Sequence, residues 1–264
     1  MTLESSLHRG PVVHVADTRI AMGNEAAREI GSEIRECLRR QSGVRIVFAA
    51  APSQSEMLAA LCKEKDIEWS RVTAFHMDEY IGLPAFSPQC FRAWLQNAIF
   101  DRLSFGAVHL IDPGDDPAQA AIDYARKLKE APIDIVCCGI GVNGHLAFND
   151  PPADFNDPLT VKVVDLDGDC RQQQVDDHCF ASLREVPLRA LTMTVPALLT
   201  GRAVFCTVPG AHKQIAVHRA LQGPLDPMCP ASALRLHRHC TVYLDRDSAP
   251  ELIAQRFAIG SGTK

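Results

Sequence analysis

The segment spanning residues 132–152 constrains the fold of this chain more than any other stretch. Residues 133–138 are mostly apolar and rich in β-branched side chains, which is typical of a buried strand. Three glycines follow, Gly139, Gly141 and Gly144. Glycines at the end of a strand let the backbone take positive φ values and come close to a ligand. A Gly-x-Gly alone would indicate only an ordinary connection between elements.

Three polar side chains accompany these glycines. Asn143 and His145 alternate with them, and Asp150 comes just before the rigid Pro151-Pro152 pair. Histidine is the side chain whose unperturbed pKa lies near neutral pH, so it can exchange protons in such a loop. The glycines, the histidine and the carboxylate together favour a catalytic loop over an ordinary connection.

The rest of the chain alternates short apolar runs with amphipathic segments. Strands are predicted at residues 12–15, 44–51, 72–77, 108–111, 133–138, 161–164, 190–195, 203–208 and 240–244, and helices at residues 24–40, 56–65, 88–103, 117–130, 213–221 and 230–235. This alternation predicts an α/β fold, a doubly wound, mainly parallel central sheet with helices on both faces. No repeat, low-complexity tract or linker interrupts it, so residues 1–264 are predicted to form a single domain.

Composition and charge narrow the class of protein. Of the 264 residues, 47% are hydrophobic and 22% are charged, so the chain can bury a sizeable core. The formal net charge of −5 argues against binding to bulk nucleic acid. No apolar run reaches the roughly 18 residues of a membrane span. The first residues lack the charged and apolar segments of a signal peptide, so none is expected.

The ten cysteines are scattered, and most of them fall in apolar strands or helices. This distribution favours reduced thiols and a cytoplasmic protein over a disulfide framework. His237, His239 and Cys240 form the grouping that most resembles a zinc site. Because a second pair of ligands is missing, we favour a surface turn there and predict no metal.

Two places in the predicted fold suit an anion. Ser53 and Gln54 lie in a turn between a predicted strand and a predicted helix, where N–H groups and hydroxyls meet the positive end of the helix dipole. Serine is also favoured there as a plain N-cap, so both interpretations stay open. Lys213 is predicted at the start of a helix, where a cation opposes the dipole, and this mismatch indicates an anionic ligand.

Two carboxylates follow another predicted strand. Asp78 and Glu79 come directly after residues 72–77, outside the carboxyl end of a strand, where parallel sheets bind ligands. Either acid could instead cap a helix or face solvent, and we expect only one of them to be catalytic. A carboxylate base, the acid/base His145 and an anion site together predict proton transfer on a sugar phosphate.

Two long segments carry a family resemblance. Residues 75–84 (Phe-His-Met-Asp-Glu-Tyr-Ile-Gly-Leu-Pro) and residues 139–151 (Gly-Ile-Gly-Val-Asn-Gly-His-Leu-Ala-Phe-Asn-Asp-Pro) resemble the two signature motifs of the glucosamine-6-phosphate deaminase (isomerase) family, to which 6-phosphogluconolactonases are related. The similarity extends over about residues 20–250. It implies a single α/β domain on a central parallel sheet. It also implies conversion of glucosamine 6-phosphate and water to fructose 6-phosphate and ammonia, without a metal or organic cofactor.

The resemblance implies roles for individual residues. Asp78 matches the family's base, which moves a proton between C2 and C1 of the opened sugar through an enolamine. His145 matches the residue that opens the pyranose ring by relaying a proton between the ring oxygen and O1. Two acids usually orient that histidine, and they correspond here to Asn143 and Asp150. Asn143 can hold the imidazole by a hydrogen bond but carries no charge, so either His145 is a weaker base or Asp150 supplies all of the charge.

The phosphate contacts follow the family less closely. The family usually has a Thr/Gly-rich loop where this chain has Ala-Ala-Pro-Ser-Gln, so Ser53, Gln54 and the following helix N-terminus are expected to bind phosphate. Lys213 matches the family's lysine, and Gly144 is expected to lie beside the substrate. Arg171 is the nearest candidate for the family's phosphate arginine, with a surface charge as the alternative.

Two other functions stay open beside an amino-sugar phosphate deaminase. A 6-phosphogluconolactonase usually has a Thr and a Ser-Leu-Phe-Pro run after the Gly-His pair, whereas residues 146–151 here are Leu-Ala-Phe-Asn-Asp-Pro. A non-catalytic sugar-phosphate sensor needs no pairing of Asp78 with His145. The predicted partner is a small sugar phosphate, with neither nucleic acid nor membrane. Homo-oligomers are common in the family and are an expectation here, whereas the choice between glucosamine and galactosamine 6-phosphate stays open.

Overall fold

The computed structural model describes residues 10–84 and 87–249. These residues form ten strands: β1 (Val12–Ala16), β2 (Val44–Phe48), β3 (Val72–His76), β4 (Asp78–Ile81), β5 (Ala107–His109), β6 (Ile135–Cys138), β7 (Val161–Asp165), β8 (Arg189–Met193), β9 (Ala203–Val208) and β10 (Cys240–Asp245). Seven of them form a central sheet in the order β1-β10-β9-β6-β2-β3-β5. All neighbouring strands in this sheet are parallel.

Seven α-helices connect the strands in the described part of the chain: α1 (Arg19–Arg40), α2 (Ser55–Leu61), α3 (Phe91–Leu95), α4 (Pro117–Lys129), α5 (Gly168–Asp176), α6 (Val195–Leu198) and α7 (Gln214–Gln222). Short 3₁₀ turns occur at Pro52–Gln54, Trp69–Arg71, Ala211–Lys213 and Pro230–Leu236, and a π turn extends α3 over Gln96–Phe100. Over residues 10–84 and 87–249, no helix is long and apolar enough to cross a membrane.

Strands β2 and β6 each contribute to two hydrophobic cores, because successive side chains point to opposite faces of a sheet. Val47 of β2 and Val136 of β6 pack in one core with side chains of α4, α6 and α7. Ile46 and Ile135, one position earlier on the same strands, pack in the other core with α1, α2 and α3. Both faces are therefore covered, which explains why these two strands are apolar except at Arg45. The prediction of a doubly wound, mainly parallel sheet with helices on both faces is confirmed.

Two predicted strands do not join the parallel sheet. β7 and β8 instead form a three-stranded antiparallel sheet with β4, in the order β4-β8-β7. The small sheet shares both cores of the large one, since Leu191 packs in the first and Ala190 in the second. Apolar periodicity shows that a segment is a buried strand but not which strand it pairs with, and so the sequence predicted β7 and β8 as strands without predicting their antiparallel sheet.

Asp78 and Glu79 were predicted to follow a strand in a loop, but they begin β4. A single residue, Met77, separates β3 from β4, and its carbonyl accepts a hydrogen bond from Met193 at 2.8 Å. The chain therefore passes directly from the large sheet into the small one. The predicted domain, residues 1–264, includes residues outside the described ranges, so its limits stay a prediction.

Candidate active site

The candidate active site lies where the order of the central strands reverses. From β2 the chain adds β3 and then β5 on one side, and β6, β9 and β10 follow on the other. The segments after β2 and β6 diverge and leave a crevice outside the carboxyl ends of these strands, where open α/β sheets bind ligands. A pocket occupies this crevice, with walls from the segments after β2, β3, β6 and β9 and from α5.

Five of the side chains predicted from the sequence line this pocket, namely Ser53, Gln54, Asp78, His145 and Lys213. Asn143 and Asp150 lie behind His145 and contact its loop. Gly144 and Arg171 are not part of the lining.

The imidazole of His145 lies over the backbone of Gly141. The backbone N–H of Gly141 donates to the carbonyl of His145 at 3.0 Å, and the N–H of Gly144 donates to the carbonyl of Gly141 at 3.0 Å. Gly144 has a φ of +92°, and a Cβ there would lie 2.9 Å from Sγ of Cys229. Gly144 therefore shapes the turn that carries the histidine.

Asp150 is the carboxylate beside the ring of His145. Their side chains are 9% and 10% exposed, and Nδ1 of His145 lies 3.3 Å from Oδ1 of Asp150. Burial alone would raise the pKa of Asp150, but His145, the backbone N–H of Asp167 and the amide of Asn143 outweigh it and leave the pKa below its usual value. Asp150 therefore carries a negative charge at neutral pH, which stabilises a protonated His145.

Asn143 was expected to hold the imidazole of His145, but it holds the backbone of the loop. Its Oδ1 accepts the backbone N–H of His145 at 3.0 Å. Its Nδ2 donates to Oδ1 of Asp150 and to Oδ2 of Asp167, each at 3.1 Å. Asp167 was not selected from the sequence; it is also the N-cap of α5, accepting from the backbone N–H of Cys170 at 2.6 Å.

Asp78 presents a carboxyl group to the pocket from the first position of β4. The residue is 5% exposed, and its Oδ1 has no hydrogen-bond partner within residues 10–84 and 87–249. Burial, and then the neighbouring charge of Glu79, raise the pKa of Asp78 well above its usual value. Buried polar atoms are nearly always hydrogen-bonded, so this oxygen is placed to meet a ligand.

Glu79 has a different environment from its neighbour. Its Oε1 accepts from the backbone N–H of Tyr80 at 2.9 Å and of Phe91 at 3.0 Å, and its Oε2 accepts from the N–H of Arg92 at 2.9 Å. Glu79 thus satisfies the first N–H groups of α3. This role leaves Asp78 as the acid of the pair that faces the pocket.

Lys213 is the buried cation of the pocket. It ends the 3₁₀ turn before α7 and is 3% exposed. Burial lowers its pKa to about 8, and no carboxylate of the described residues forms an ion pair with it. A buried ammonium without a counter-ion favours an anionic ligand.

Gln54 was expected to bind phosphate directly, but its amide is already engaged. Its Nε2 donates to the carbonyl of Thr207 and to Oγ of Ser53, each at 3.2 Å, and its Oε1 accepts from the hydroxyl of Thr207 at 2.7 Å. A Cβ at Gly139 would lie 2.9 Å from Nε2 of Gln54, so the glycine makes room for it. Gln54 therefore positions Ser53, whose hydroxyl proton is left for a ligand.

Helix α5 contributes two glutamines that were not predicted as site residues. Gln173 and Gln174 line the pocket, and Oε1 of Gln173 accepts from the backbone N–H of Val142 at 3.0 Å. The helix itself was missed because its sequence has no apolar stripe: only Cys170, Gln173 and Gln174 are buried. The run of three glutamines at residues 172–174 was the one sequence feature that could have indicated polar side chains for a ligand site.

Arg171, in the same helix, turns away from the pocket. Its guanidinium donates to the carbonyls of Leu183 and Val186 and so ties α5 to the segment that precedes β8. The structure therefore does not place Arg171 in the pocket lining.

Residues 17–243 match the family model described as glucosamine-6-phosphate isomerases/6-phosphogluconolactonase. The chain belongs to this family. The resemblance predicted from residues 75–84 and 139–151 is thereby confirmed.

Individual members of the glucosamine-6-phosphate isomerase/6-phosphogluconolactonase family show how the similarity is distributed. A glucosamine-6-phosphate deaminase of Listeria welshimeri is 34% identical over 203 residues, covering 76% of this chain and 84% of the relative. A glucosamine-6-phosphate deaminase of Clostridium botulinum is 28% identical over 243 residues, which cover 90% of this chain and 97% of the relative. A solved structure of a monomeric glucosamine-6-phosphate deaminase has a TM-score of 0.83 at 26% identity. The match covers 90% of this chain and 98% of that one. The 6-phosphogluconolactonase of Thermotoga maritima shares the fold, with a TM-score of 0.73 at 20% identity, covering 89% and 100%.

Among the described residues, two clusters in this family member bring together side chains that metals use: His145, Asp150 and Cys170, and His14, Glu25 and Glu29. In the first, burial and then the nearby carboxylates raise the pKa of the Cys170 thiol well above its usual value, which disfavours the thiolate that a metal needs. In the second, Nδ1 of His14 is 2.9 Å from Oε1 of Glu25 and can share a hydrogen bond with it.

His237, His239 and Cys240, the residues that most resemble a zinc site in the sequence, do not form one of these two clusters. His237 and His239 flank a turn, and Nε2 of His237 lies 2.7 Å from the carbonyl oxygen of Gly201. Cys240 is buried at the start of β10. All ten cysteines of the chain are free thiols.

Proposed function

We propose that this protein is a glucosamine-6-phosphate deaminase, which converts glucosamine 6-phosphate and water to fructose 6-phosphate and ammonia. The observation that carries the proposal is the composition of one pocket, which holds the buried carboxyl of Asp78, the imidazole of His145 and the buried ammonium of Lys213. The reaction needs a proton carrier for carbon, a ring-opening group and a phosphate site. Family membership and the similarity to the Listeria enzyme support the assignment.

In the proposed first step, His145 opens the sugar ring. It relays the proton of the O1 hydroxyl to the ring oxygen as the bond between C1 and that oxygen breaks. Asp150 lies at Nδ1 of His145, so Nε2 is the nitrogen left for the substrate. The negative charge of Asp150 stabilises the imidazolium that forms in passing.

In the second step, Asp78 moves a proton between carbons. It takes the proton from C2 of the open-chain amino aldehyde while O1 takes up a proton from solvent, which forms an enolamine, and it then delivers its own proton to C1 to form an iminium at C2. Water adds to the iminium carbon, and the loss of ammonia and of one proton to solvent yields the ketone of fructose 6-phosphate. The raised pKa of Asp78 supports this role, because a stronger carboxylate base removes a carbon-bound proton more readily.

The phosphate group is proposed to lie at the end of the pocket that holds Lys213 and Ser53. Lys213 supplies the positive charge and Ser53 a hydroxyl donor, which Gln54 orients. The side chain of Gln174, buried in the pocket wall, adds an amide donor. Arg171 is left out of this proposal because its guanidinium bonds to carbonyls elsewhere.

Ammonia release from glucosamine 6-phosphate, with fructose 6-phosphate measured in parallel, tests the proposal. Galactosamine 6-phosphate serves as the epimeric substrate, and 6-phosphogluconolactone tests the alternative hydrolysis. Equal amounts of ammonia and fructose 6-phosphate would support the deaminase. Lactone hydrolysis without ammonia release, or sugar-phosphate binding without turnover, would contradict it.

Cytoplasmic location and homo-oligomerisation stay predictions from the sequence. Sedimentation at several protein concentrations would measure the oligomeric state.

A further inference from the structure

Asp167 lies outside the lining of the pocket and shares the amide of Asn143 with Asp150. Nδ2 of Asn143 donates to Oδ2 of Asp167 and to Oδ1 of Asp150, each at 3.1 Å. The backbone N–H of Asp167 in turn donates to Oδ2 of Asp150 at 3.1 Å. One neutral amide therefore bridges two carboxylates and holds them in place beside the histidine.

The amide of Asn143 has one orientation that satisfies all of its neighbours. Its Oδ1 accepts the backbone N–H of His145 at 3.0 Å, while its Nδ2 faces the two carboxylates. The reverse orientation would set an oxygen against two negative charges and an NH₂ group against an N–H donor. Asp167 and Asp150 therefore fix the amide, and the amide fixes the backbone of His145.

The charges around His145 come from several elements. Asp150 lies beside the imidazole and Asp167 bonds to Asn143, from the loops on either side of β7, while Asp78 and Lys213 line the same pocket as His145. Cys170 of α5 stays a neutral thiol, because burial and then the nearby carboxylates raise its pKa. Since position 143 contributes no charge, the two carboxylates that contact its amide are Asp150 and Asp167.

We propose that Asp167 is a positioning residue of the active site, acting on His145 through Asn143, and that the neutral amide at position 143 is required because a carboxylate occupies position 167. This inference rests on the proposed deaminase function, in which His145 opens the sugar ring. In Asn143→Asp, a third carboxylate meets Asp150 and Asp167, and both amide donors are lost. In the double variant Asn143→Asp/Asp167→Asn, the new amide at position 167 can donate to the new carboxylate at position 143. The hydrogen bond between the two positions is then restored with donor and acceptor exchanged.

The alternative role for Asp167 is only to cap α5, through the bond from the N–H of Cys170. Asn and Ser are both good helix caps, so Asp167→Asn and Asp167→Ser keep this role while removing the charge. Asp169→Asn, on the exposed side of the same helix, removes the same charge and serves as the matched control.

The first experiment measures ammonia release by these variants, with circular dichroism melting as a check of folding. Because hydrogen bonds to charged groups are the strong ones, kcat should fall about 10- to 100-fold in Asp167→Asn and Asp167→Ser, with KM nearly unchanged. Asn143→Asp should lose at least as much, and the double variant should regain about tenfold over Asn143→Asp. Asp169→Asn should match the wild type.

The second experiment measures the pKa of His145 by NMR of histidine-labelled protein, with His145→Gln to assign the signal. Loss of a nearby carboxylate should lower this pKa in Asp167→Asn but not in Asp169→Asn. Wild-type kcat and an unchanged His145 pKa in Asp167→Asn and Asp167→Ser would overturn the proposal, as would a double variant with no recovery. The NMR result does not need turnover, so it tests the positioning role even if ammonia release fails.

Discussion

The imidazole of His145 packs so closely on Gly141 that a Cβ at position 141 would lie 2.2 Å from its Cε1 and Nε2. This is well inside van der Waals contact, so even a methyl group would displace the ring. The glycine is needed here for the close approach of a side chain, whereas Gly144 is needed for its positive φ. The position of the proposed ring-opening group therefore depends on the absence of a side chain at Gly141.

Gly141→Ala should therefore lower kcat for ammonia release at least tenfold with little loss of folded protein, because a displacement of about 1 Å at a reacting group can cost about 10²-fold. Gly10→Ala is the matched control, since no atom of residues 10–84 and 87–249 lies within 4 Å of a Cβ at that position. Steady-state kinetics and circular dichroism measure the two effects. A Gly141→Ala enzyme with wild-type kcat would contradict the placement of His145.

Asp78→Asn should keep substrate affinity and lose most of the turnover. The amide is similar in shape but cannot carry the proton between C2 and C1, and general acid/base groups contribute about 10²–10⁴-fold. Calorimetric binding of fructose 6-phosphate and the rate of ammonia release measure affinity and turnover separately. If kcat falls by less than roughly tenfold, Asp78 has no part in the chemical step.

Lys213→Ala should raise KM for glucosamine 6-phosphate with a smaller effect on kcat, since a phosphate contact acts on binding in the ground state and the transition state alike. Lys129→Ala changes an exposed lysine of α4 and should leave both constants unchanged. Unphosphorylated glucosamine should be a very poor substrate of the wild type. Equal activity on the two sugars would rule out a phosphate site in this pocket.

The pH dependence should report both buried groups. The pKa of Lys213 is lowered to about 8 by burial, so the ammonium loses its proton above that pH and KM should rise. Lys213→Arg stays charged and should remove this alkaline rise in KM.

On the acid side, kcat/KM should fall as Asp78 gains a proton. The fall should start at a higher pH than for an exposed carboxyl, because the pKa of Asp78 is raised. The profile of Asp78→Asn should lack this acid limb.

Thr207→Val should raise KM about fivefold while kcat changes little, since a neutral hydrogen bond contributes about 1 kcal/mol. The valine cannot donate to Oε1 of Gln54, so the amide no longer orients Ser53. Thr207→Ser keeps the hydroxyl and should behave as the wild type. If the two variants have the same KM, Gln54 does not act on the phosphate site through Thr207.

The parts of the site that were predicted from the sequence belong to short continuous segments. The loop after β6 was found because its glycines, His145 and Asp150 lie within a few residues of one another. Lys213 was found from a charge that opposes a helix dipole, and it is buried in the pocket. Convergence at one sheet edge followed from the parallel sheet, in which the carboxyl ends of neighbouring strands meet.

The parts that were missed depend on contacts between distant segments. Thr207 bonds to Gln54, 153 positions away, and Asp167 meets Asn143, 24 positions away. The direction of the Arg171 guanidinium is set by carbonyls 12 and 15 positions further on. Nothing in the residues next to each of these side chains indicates its partner.

The sequence by itself determined most strands and helices of the two cores, though not β4, α5 or α6, together with the class of fold and the loop that carries His145. These features can be predicted from sequence because the spacing of apolar residues, the conformations open to glycine and the effects of the helix dipole each involve only a few neighbouring residues. Only the tertiary structure decided that β4, β7 and β8 form a separate antiparallel sheet, that α5 faces the pocket and that Asp167 supports Asn143. Strand pairing and side-chain hydrogen bonds depend on which distant groups are brought within about 3 Å, and that is settled by the packing of the whole chain.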